Sequence, residues 1–173
     1  LAGLLEPDSG SCEYGVGIRP AILFQEPRLF PQLNLIENIN LPLQARGNTE
    51  SPEDEAKLQD WLRLLNLSQF TKAYPHELSG GMKRKVSLLR AIITKPNFLL
   101  LDEPFQSLDQ DSKEIFIHQV LPELEDLSIL FTTHEVMEIP MLATGGLYFK
   151  ESYLTAPIRL DLSIFENIFT NQV

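Results

Sequence analysis

The sequence holds a single cysteine, Cys12. One thiol cannot close an internal disulfide, so nothing implies an oxidising compartment. Long apolar runs are also missing: none approaches the roughly 20 residues a bilayer-spanning helix needs. The first residues carry no basic patch ahead of an apolar stretch, so no signal peptide is expected in them. Positive charge is scarce as well. Lys and Arg number 14 against 24 Asp and Glu, a net charge of −10. Nucleic-acid binding leans on cations that neutralise phosphates, so no nucleic-acid partner is expected. A small phosphate ligand stays open, because it needs a local pocket of backbone N–H groups rather than a positive surface. His76, His118 and His134 are scattered without zinc-ligand spacing. No Ser, His and Asp set sits in a nucleophile context.

What is present is the composition of a folded protein: 43% hydrophobic and 22% charged residues over a 173-residue chain that begins with Leu rather than Met. That length suits one core, with or without a subdomain. Residues 1–5 read as the tail of a helix, stopped by "EPDSG". The apolar runs at 21–24, 98–101 and 129–131 read as buried strands, and 147–149 as a late one. Helical spacing predicts a helix over 34–44 with Asn34 as cap. A second starts at Ser51-Pro52 and presents Leu58, Trp61, Leu62 and Leu65; others span 79–94 and 110–121. A short helix is expected from about Glu135, and residues 157–173 fit either a strand or a helical turn. Strands alternating with helices predict a parallel sheet, and the strand-free block 34–90 reads as a helical insertion.

Five short signals are candidates for chemistry. "FLLLDEP" ends an apolar strand in Asp102 and Glu103, and ligands of open α/β sheets bind at the carboxyl edge of the strands. Asp102 there suits Mg²⁺, and Glu103 suits a general base; solvated acids at a strand end are the plainer reading. In "LSGGM", Ser79 caps a helix whose first turn holds Gly80 and Gly81. Glycines weaken helices by about 1 kcal/mol each, so two of them suggest bare N–H groups facing an anion, or simply a turn. Gln25 directly follows a strand, where an amide can ligate Mg²⁺ or orient water. His134 follows "ILFTT" in the same topological place and could donate to a phosphate oxygen. Asp109 in "SLD" precedes a helix, which a plain capping role also explains. The run Lys83-Arg84-Lys85 reads as a solvated helix face.

In this order the motifs resemble those of the nucleotide-binding subunit of an ATP-binding-cassette (ABC) transporter, over about residues 1–142. "FQEPRLFPQLNLIENI" is similar to the Q-loop region, "LSGGMKRKVSLLRA" to the signature motif and its helix, "FLLLDEP" to the Walker B strand. "SLD" resembles the D-loop and "TTHE" the switch histidine. "FQEPRLFP", "LSGGM" and "DEPFQSLD" look most like bacterial importers of the nitrate, sulfonate and taurine type. The resemblance implies an α/β fold: an incomplete P-loop NTPase core of parallel sheet, residues 1–33 and 91–150. Residues 34–90 would form an inserted helical subdomain, and 151–173 has no assigned role.

Its cofactors would be ATP and Mg²⁺. Gln25 would touch Mg²⁺ and the attacking water, Asp102 would serve Mg²⁺, Glu103 would be the base and His134 would hold the γ-phosphate. Ser79, Gly80 and Gly81 would grip an ATP held mainly by a second ATP-binding subunit, and Asp109 would cross that dimer. Transmembrane permease subunits would be the other partners, at the cytoplasmic face of a bacterial-type membrane.

The family's phosphate loop, G-x-x-x-x-G-K-[ST], has no counterpart, since no Gly-Lys pair occurs in the chain. In the family that loop lies just before a helix ending much like "LAGLLEPDSG", so the expectation is a chain that starts inside that helix. Hydrogen bonds to charged groups contribute about 1.5–3 kcal/mol each, so losing three would cost roughly 4–9 kcal/mol of ATP affinity. The fragment alone should bind ATP weakly, hydrolyse little and leave apolar sheet surface open. The alternative is a non-hydrolysing interaction subunit that contributes only its signature face to a competent partner. A soluble ABC protein of DNA repair or translation fits less well, lacking a second cassette or coiled-coil insertion. "EVMEIPMLATGG" departs from the family after His134, with Pro140 inside an expected helix.

Overall fold

The computed structural model describes residues 6, 8–13, 15–47, 51–148 and 158–160. The expected helix at 1–5 and all of 157–173 except the strand named below lie outside them. Two compact units divide the chain, Leu1–Thr132 and Thr133–Val173.

The first unit is organised by three short strands, β1 (Pro20–Leu23), β2 (Phe98–Asp102) and β3 (Ser128–Thr132). They form a parallel sheet in the order β1-β2-β3, with Ile22, Leu100 and Leu130 in register. Side chains alternate across the sheet. Leu23, Leu99 and Leu101 point to one face and are buried. Ile22, Phe98 and Leu100 on the other are half-buried, and Leu130 remains 44% exposed. Parallel sheets are ordinarily covered on both faces. Pro20 is tolerated because it opens a strand at the sheet edge, where its missing N–H costs no ladder bond.

The block between β1 and β2 is helical, as the spacing predicts. It contains α1 (Leu35–Ala45), α2 (Pro52–Leu64) and α3 (Gly80–Ile92), with 3₁₀ turns at Ser68–Phe70 and Pro75–Glu77. Each α-helix starts on its expected cap. The Asn34 side chain accepts from the Glu37 N–H at 3.0 Å while Glu37 accepts from the Asn34 N–H at 2.8 Å, a reciprocal capping box. Ser51 accepts from Asp54 ahead of Pro52, and Ser79 accepts from the Met82 N–H at 3.2 Å. Leu58, Trp61, Leu62 and Leu65 are buried, joined by Leu35, Ile39, Val86, Leu88, Leu89 and Ile92. Helix α3 packs against both α1 and β1, which ties the helical block to the sheet.

After β2 a tight turn leads to α4 (Gln110–Ile115). The run expected over 110–121 continues through a π-helical turn, Phe116–Val120, and a 3₁₀ turn, Leu121–Glu123. Pro122 has no N–H to continue a regular α-helix. In the second unit a 3₁₀ turn (Val136–Glu138) leads into α5 (Ile139–Leu142), and β4 (Gly146–Tyr148) pairs antiparallel with β5 (Ile158–Leu160). Pro140 falls in the first turn of α5, where its missing N–H is no loss, so it starts a short helix rather than breaking a long one.

Candidate nucleotide site at the strand ends

The carboxyl ends of β1 and β2 lie side by side, so Gln25 and the pair Asp102-Glu103 leave the sheet from one edge. That edge is where the strand pattern places a ligand. Asp102 is exposed, and its Oδ1 accepts from the Thr132 hydroxyl at 2.7 Å across the β2–β3 ladder. Glu103 follows with φ 49°, in the left-handed region, its N–H donating to the Thr132 carbonyl at 3.1 Å. Ser107, at the far end of the same turn, has φ 69°. Non-glycine residues held there cost about 1–3 kcal/mol each and persist where neighbours over-determine them.

Beside the start of this turn lies Arg84, which corrects the reading of Lys83-Arg84-Lys85 as a solvated face. Arg84 is 2% exposed. Its Nε donates to the Pro104 carbonyl at 2.8 Å; Nη1 donates to the carbonyls of Phe24 at 2.6 Å and Gln25 at 2.9 Å. Nη2 donates to the carbonyls of Asp102 at 2.7 Å and Glu103. Burial pushes the guanidinium pKa below the usual arginine value, and the charges of Asp102 and Glu103 pull it back up. Lys85 is also buried, at 9% exposure, donating to the Leu65 carbonyl at 3.3 Å and lying 3.7 Å from Asp109. Further along the same face of α3, Ser87 donates to the Pro27 carbonyl at 3.0 Å, and Arg90 to Pro27 at 2.7 Å and Arg28 at 3.0 Å. The stretch from Phe24 to Arg28 is thus fastened to α3 by donors at three-residue spacing.

The two glycines of "LSGGM" differ in their reasons. A Cβ on Gly80 would meet nothing within 4 Å, whereas one on Gly81 would lie 2.9 Å from the Ser107 carbonyl oxygen. Nothing therefore crowds Gly80, while the lack of a side chain at Gly81 lets α3 approach the 103–107 turn. A cleft of about 430 Å³ lies beside them, lined by Gln25, Glu26, Gly80, Lys83, Arg84 and Ser107 among others. Asp109 caps α4: its carboxylate accepts from the Ser112 N–H at 2.8 Å and the Ser112 hydroxyl at 2.9 Å. The Ser112 hydroxyl, with the backbone bond and Lys85 as smaller causes, holds the Asp109 carboxyl below the ordinary value.

The first unit thus gathers Gln25, Ser79, Gly80, Gly81, Asp102, Glu103 and Asp109 around β1, β2 and α3. His134 belongs to the second unit, where its Nε2 lies 3.9 Å from Glu135 Oε1. Beside it the Thr133 hydroxyl donates to buried Glu138 at 2.6 Å and accepts from the Glu135 N–H at 3.0 Å. Asn38, unremarked in the sequence, is fully buried; its amide bonds to the Phe30 N–H and to the carbonyls of Phe30, Leu33 and Asn34 at 2.8–3.1 Å. Its only signal is a polar residue on the apolar side of α1.

The family model described as ABC transporter matches residues 1–106. The aliphatic sulfonates import ATP-binding protein SsuB of Corynebacterium glutamicum is 34% identical over 94% of this chain and 66% of its own length. The taurine import ATP-binding protein TauB of Rhizobium johnstonii is 36% identical over 84% of this chain and 56% of its own. This chain therefore spans less than two thirds of these curated relatives. A solved structure titled as the ATP binding subunit of an ABC transporter superposes with TM-score 0.72 at 25% identity, covering 89% of this chain and 64% of that one. The fold is the α/β, parallel-sheet core of P-loop NTPases with a helical insertion, and the chain belongs to the ABC transporter family.

Proposed function

We propose that this chain is part of the ATP-binding, ATP-hydrolysing subunit of an ABC-type importer. The observation that carries the reading is the adjacency of Gln25 and Asp102-Glu103 at one sheet edge, joined to the signature helix α3. Asp102 would hold Mg²⁺, Glu103 would take the proton of the attacking water, Gln25 would orient that water, and His134 would donate to the γ-phosphate. Ser79 and Gly80 would meet the triphosphate of a second ATP-binding subunit, with Gly81 seating their helix and Asp109 facing the dimer junction. The residues suit these groups. The Asp102 carboxylate is exposed, with one oxygen aligned by Thr132, and nothing crowds Gly80. Among the described residues no cluster of three or more Asp, Glu, His or Cys stands ready for a metal. Mg²⁺ would therefore take Asp102 together with phosphate oxygens, its usual habit. When bound, it would neutralise charge on the β- and γ-phosphates.

The relatives' names support an importer; transmembrane permease subunits would dock on the Gln25 loop from the membrane's cytoplasmic face. Among the described residues no helix is long and apolar enough to cross a membrane. The half-bare sheet face around Leu130 fits a core completed by an upstream segment carrying the phosphate loop. The test is Glu103→Gln in the natural full-length polypeptide with its permease. Turnover should fall at least about a hundredfold, as for loss of a general base, while ATP still binds. Undiminished turnover would defeat this assignment.

The alternative, a non-hydrolysing subunit offering only its signature face, is separated from this reading by the coding sequence upstream of Leu1: a phosphate loop there supports the hydrolase.

A further inference from the structure

We infer that Arg84 is the positioning residue that sets both candidate carboxylates, by binding the backbone beneath them rather than the carboxylates themselves. The inference rests on the proposed roles of Asp102 and Glu103. A guanidinium has five N–H donors and no acceptor. All five are spent on backbone carbonyls: Phe24 and Gln25 from the end of β1, and Asp102, Glu103 and Pro104 from the end of β2. The left-handed conformation of Glu103 makes the chain reverse immediately after β2. Reversal aims three consecutive carbonyl dipoles at one point. Without a cation there, those oxygens repel one another and the turn opens. With Arg84 in place the repulsion becomes attraction, and Glu103 keeps a backbone angle it would otherwise leave. The same charge reaches the carbonyl of Gln25, so the residues proposed to orient water, hold metal and accept the proton share one anchor. The anchor lies on α3, five residues from the helix cap Ser79. A shift of α3 on engaging a partner's nucleotide is thereby passed to the carboxylates through a single buried side chain.

Arg90 provides the comparator. It lies on the same face and fastens the same loop, but only through Pro27 and Arg28. Arg84→Gln, Arg84→Lys and Arg90→Gln would be made in the natural full-length protein assembled with its partners. Four quantities would be measured: kcat, the KM for Mg²⁺, affinity for a non-hydrolysable ATP analogue, and nucleotide-free amide hydrogen exchange over residues 102–108. Arg84→Gln should lower kcat at least about tenfold and raise the Mg²⁺ KM, with analogue affinity held within about threefold. The amides of Glu103 and Gln106 should exchange faster while α2 stays protected. Lysine keeps the charge but not the fork, so Arg84→Lys should fall between wild type and Arg84→Gln. Arg90→Gln should leave kcat within about twofold.

A folded Arg84→Gln protein with wild-type kcat, or with wild-type exchange at Glu103 and Gln106, overturns the inference. So does an Arg90→Gln loss of kcat as large. Should the glutamine variant not fold, the lysine variant decides by the same two readouts. A wild-type protein that hydrolyses no ATP would overturn the proposed function instead, and the exchange measurement would then decide the clamp alone.

Discussion

Adding one methyl group to Gly81 separates two explanations of the paired glycines. In the first turn of a helix, Gly→Ala is ordinarily stabilising by up to about 1 kcal/mol, through lower chain entropy in the unfolded state. Gly80 should behave that way, because its Cβ would enter open space. At Gly81 the new Cβ would lie 2.9 Å from the carbonyl oxygen of Ser107. That oxygen belongs to backbone and cannot rotate aside. It sits in a turn fixed at one end by Arg84 on Glu103 and at the other by the Asp109 cap. Overpacking of this kind costs about 1–3 kcal/mol, which outweighs the helical gain. The two alanine variants should therefore differ by about 1–3 kcal/mol in favour of Gly80→Ala. For a chain of this size each kcal/mol moves Tm by roughly 2–4 °C, so thermal unfolding of the natural protein resolves the difference. Denaturant midpoints at constant m-value give an independent check. Equal stability of Gly81→Ala and Gly80→Ala, or a gain in both, would refute the close approach of α3 to the turn.

Two further outcomes follow from the same contacts. Asn38→Ala should cost about 2–4 kcal/mol, because it strands the Phe30 N–H and the carbonyls of Phe30 and Leu33 beneath the loop; urea denaturation measures it. The Asp109 carboxyl has a folded pKa below its unfolded value of 3.8, so its contribution is present above that value and is lost as pH falls through the lower, folded one. The stability gap between wild type and Asp109→Asn should accordingly hold steady from pH 7 to about 5 and shrink below the unfolded value; a gap that widens in acid would reverse the sign.

What could be read from the sequence is what is local. Asn34, Ser51 and Ser79 cap helices because a cap is completed three residues away, within the same short stretch. The three apolar runs at 21–24, 98–101 and 129–131 fall on β1, β2 and β3, since short apolar runs bounded by turns have few other fates. What could not be read depends on partners distant in the chain. Arg84 finds Phe24 and Gln25 about 60 residues upstream, and its acceptors are carbonyls, which every residue carries. No side-chain pattern marks them, and three consecutive basic residues look like a wet surface. Gly81 was ambiguous for the same reason: its neighbour is backbone. Pro140 falls in the first turn of α5 because that helix begins at Ile139, a start that no side-chain cap marks in the sequence.

These distant contacts converge on one turn. Glu103 and Ser107 both hold left-handed backbone, together storing on the order of 2–6 kcal/mol. Free, such a turn would relax and carry the Glu103 carboxylate away from the sheet edge. It is held on two sides by the same helix: Arg84 draws the carbonyls of 102–104 inward, and Gly81 lets α3 close on Ser107. The residues that resemble a nucleotide-contacting motif are therefore also the residues that shape the carboxylate turn. A mutation in the "LSGGMKR" stretch cannot be assigned to ligand contact from loss of activity alone. It must be separated from turn geometry by stability and hydrogen exchange, and Gly80, where an added Cβ would meet nothing within 4 Å, is the position where a proposed ligand role is least mixed with packing.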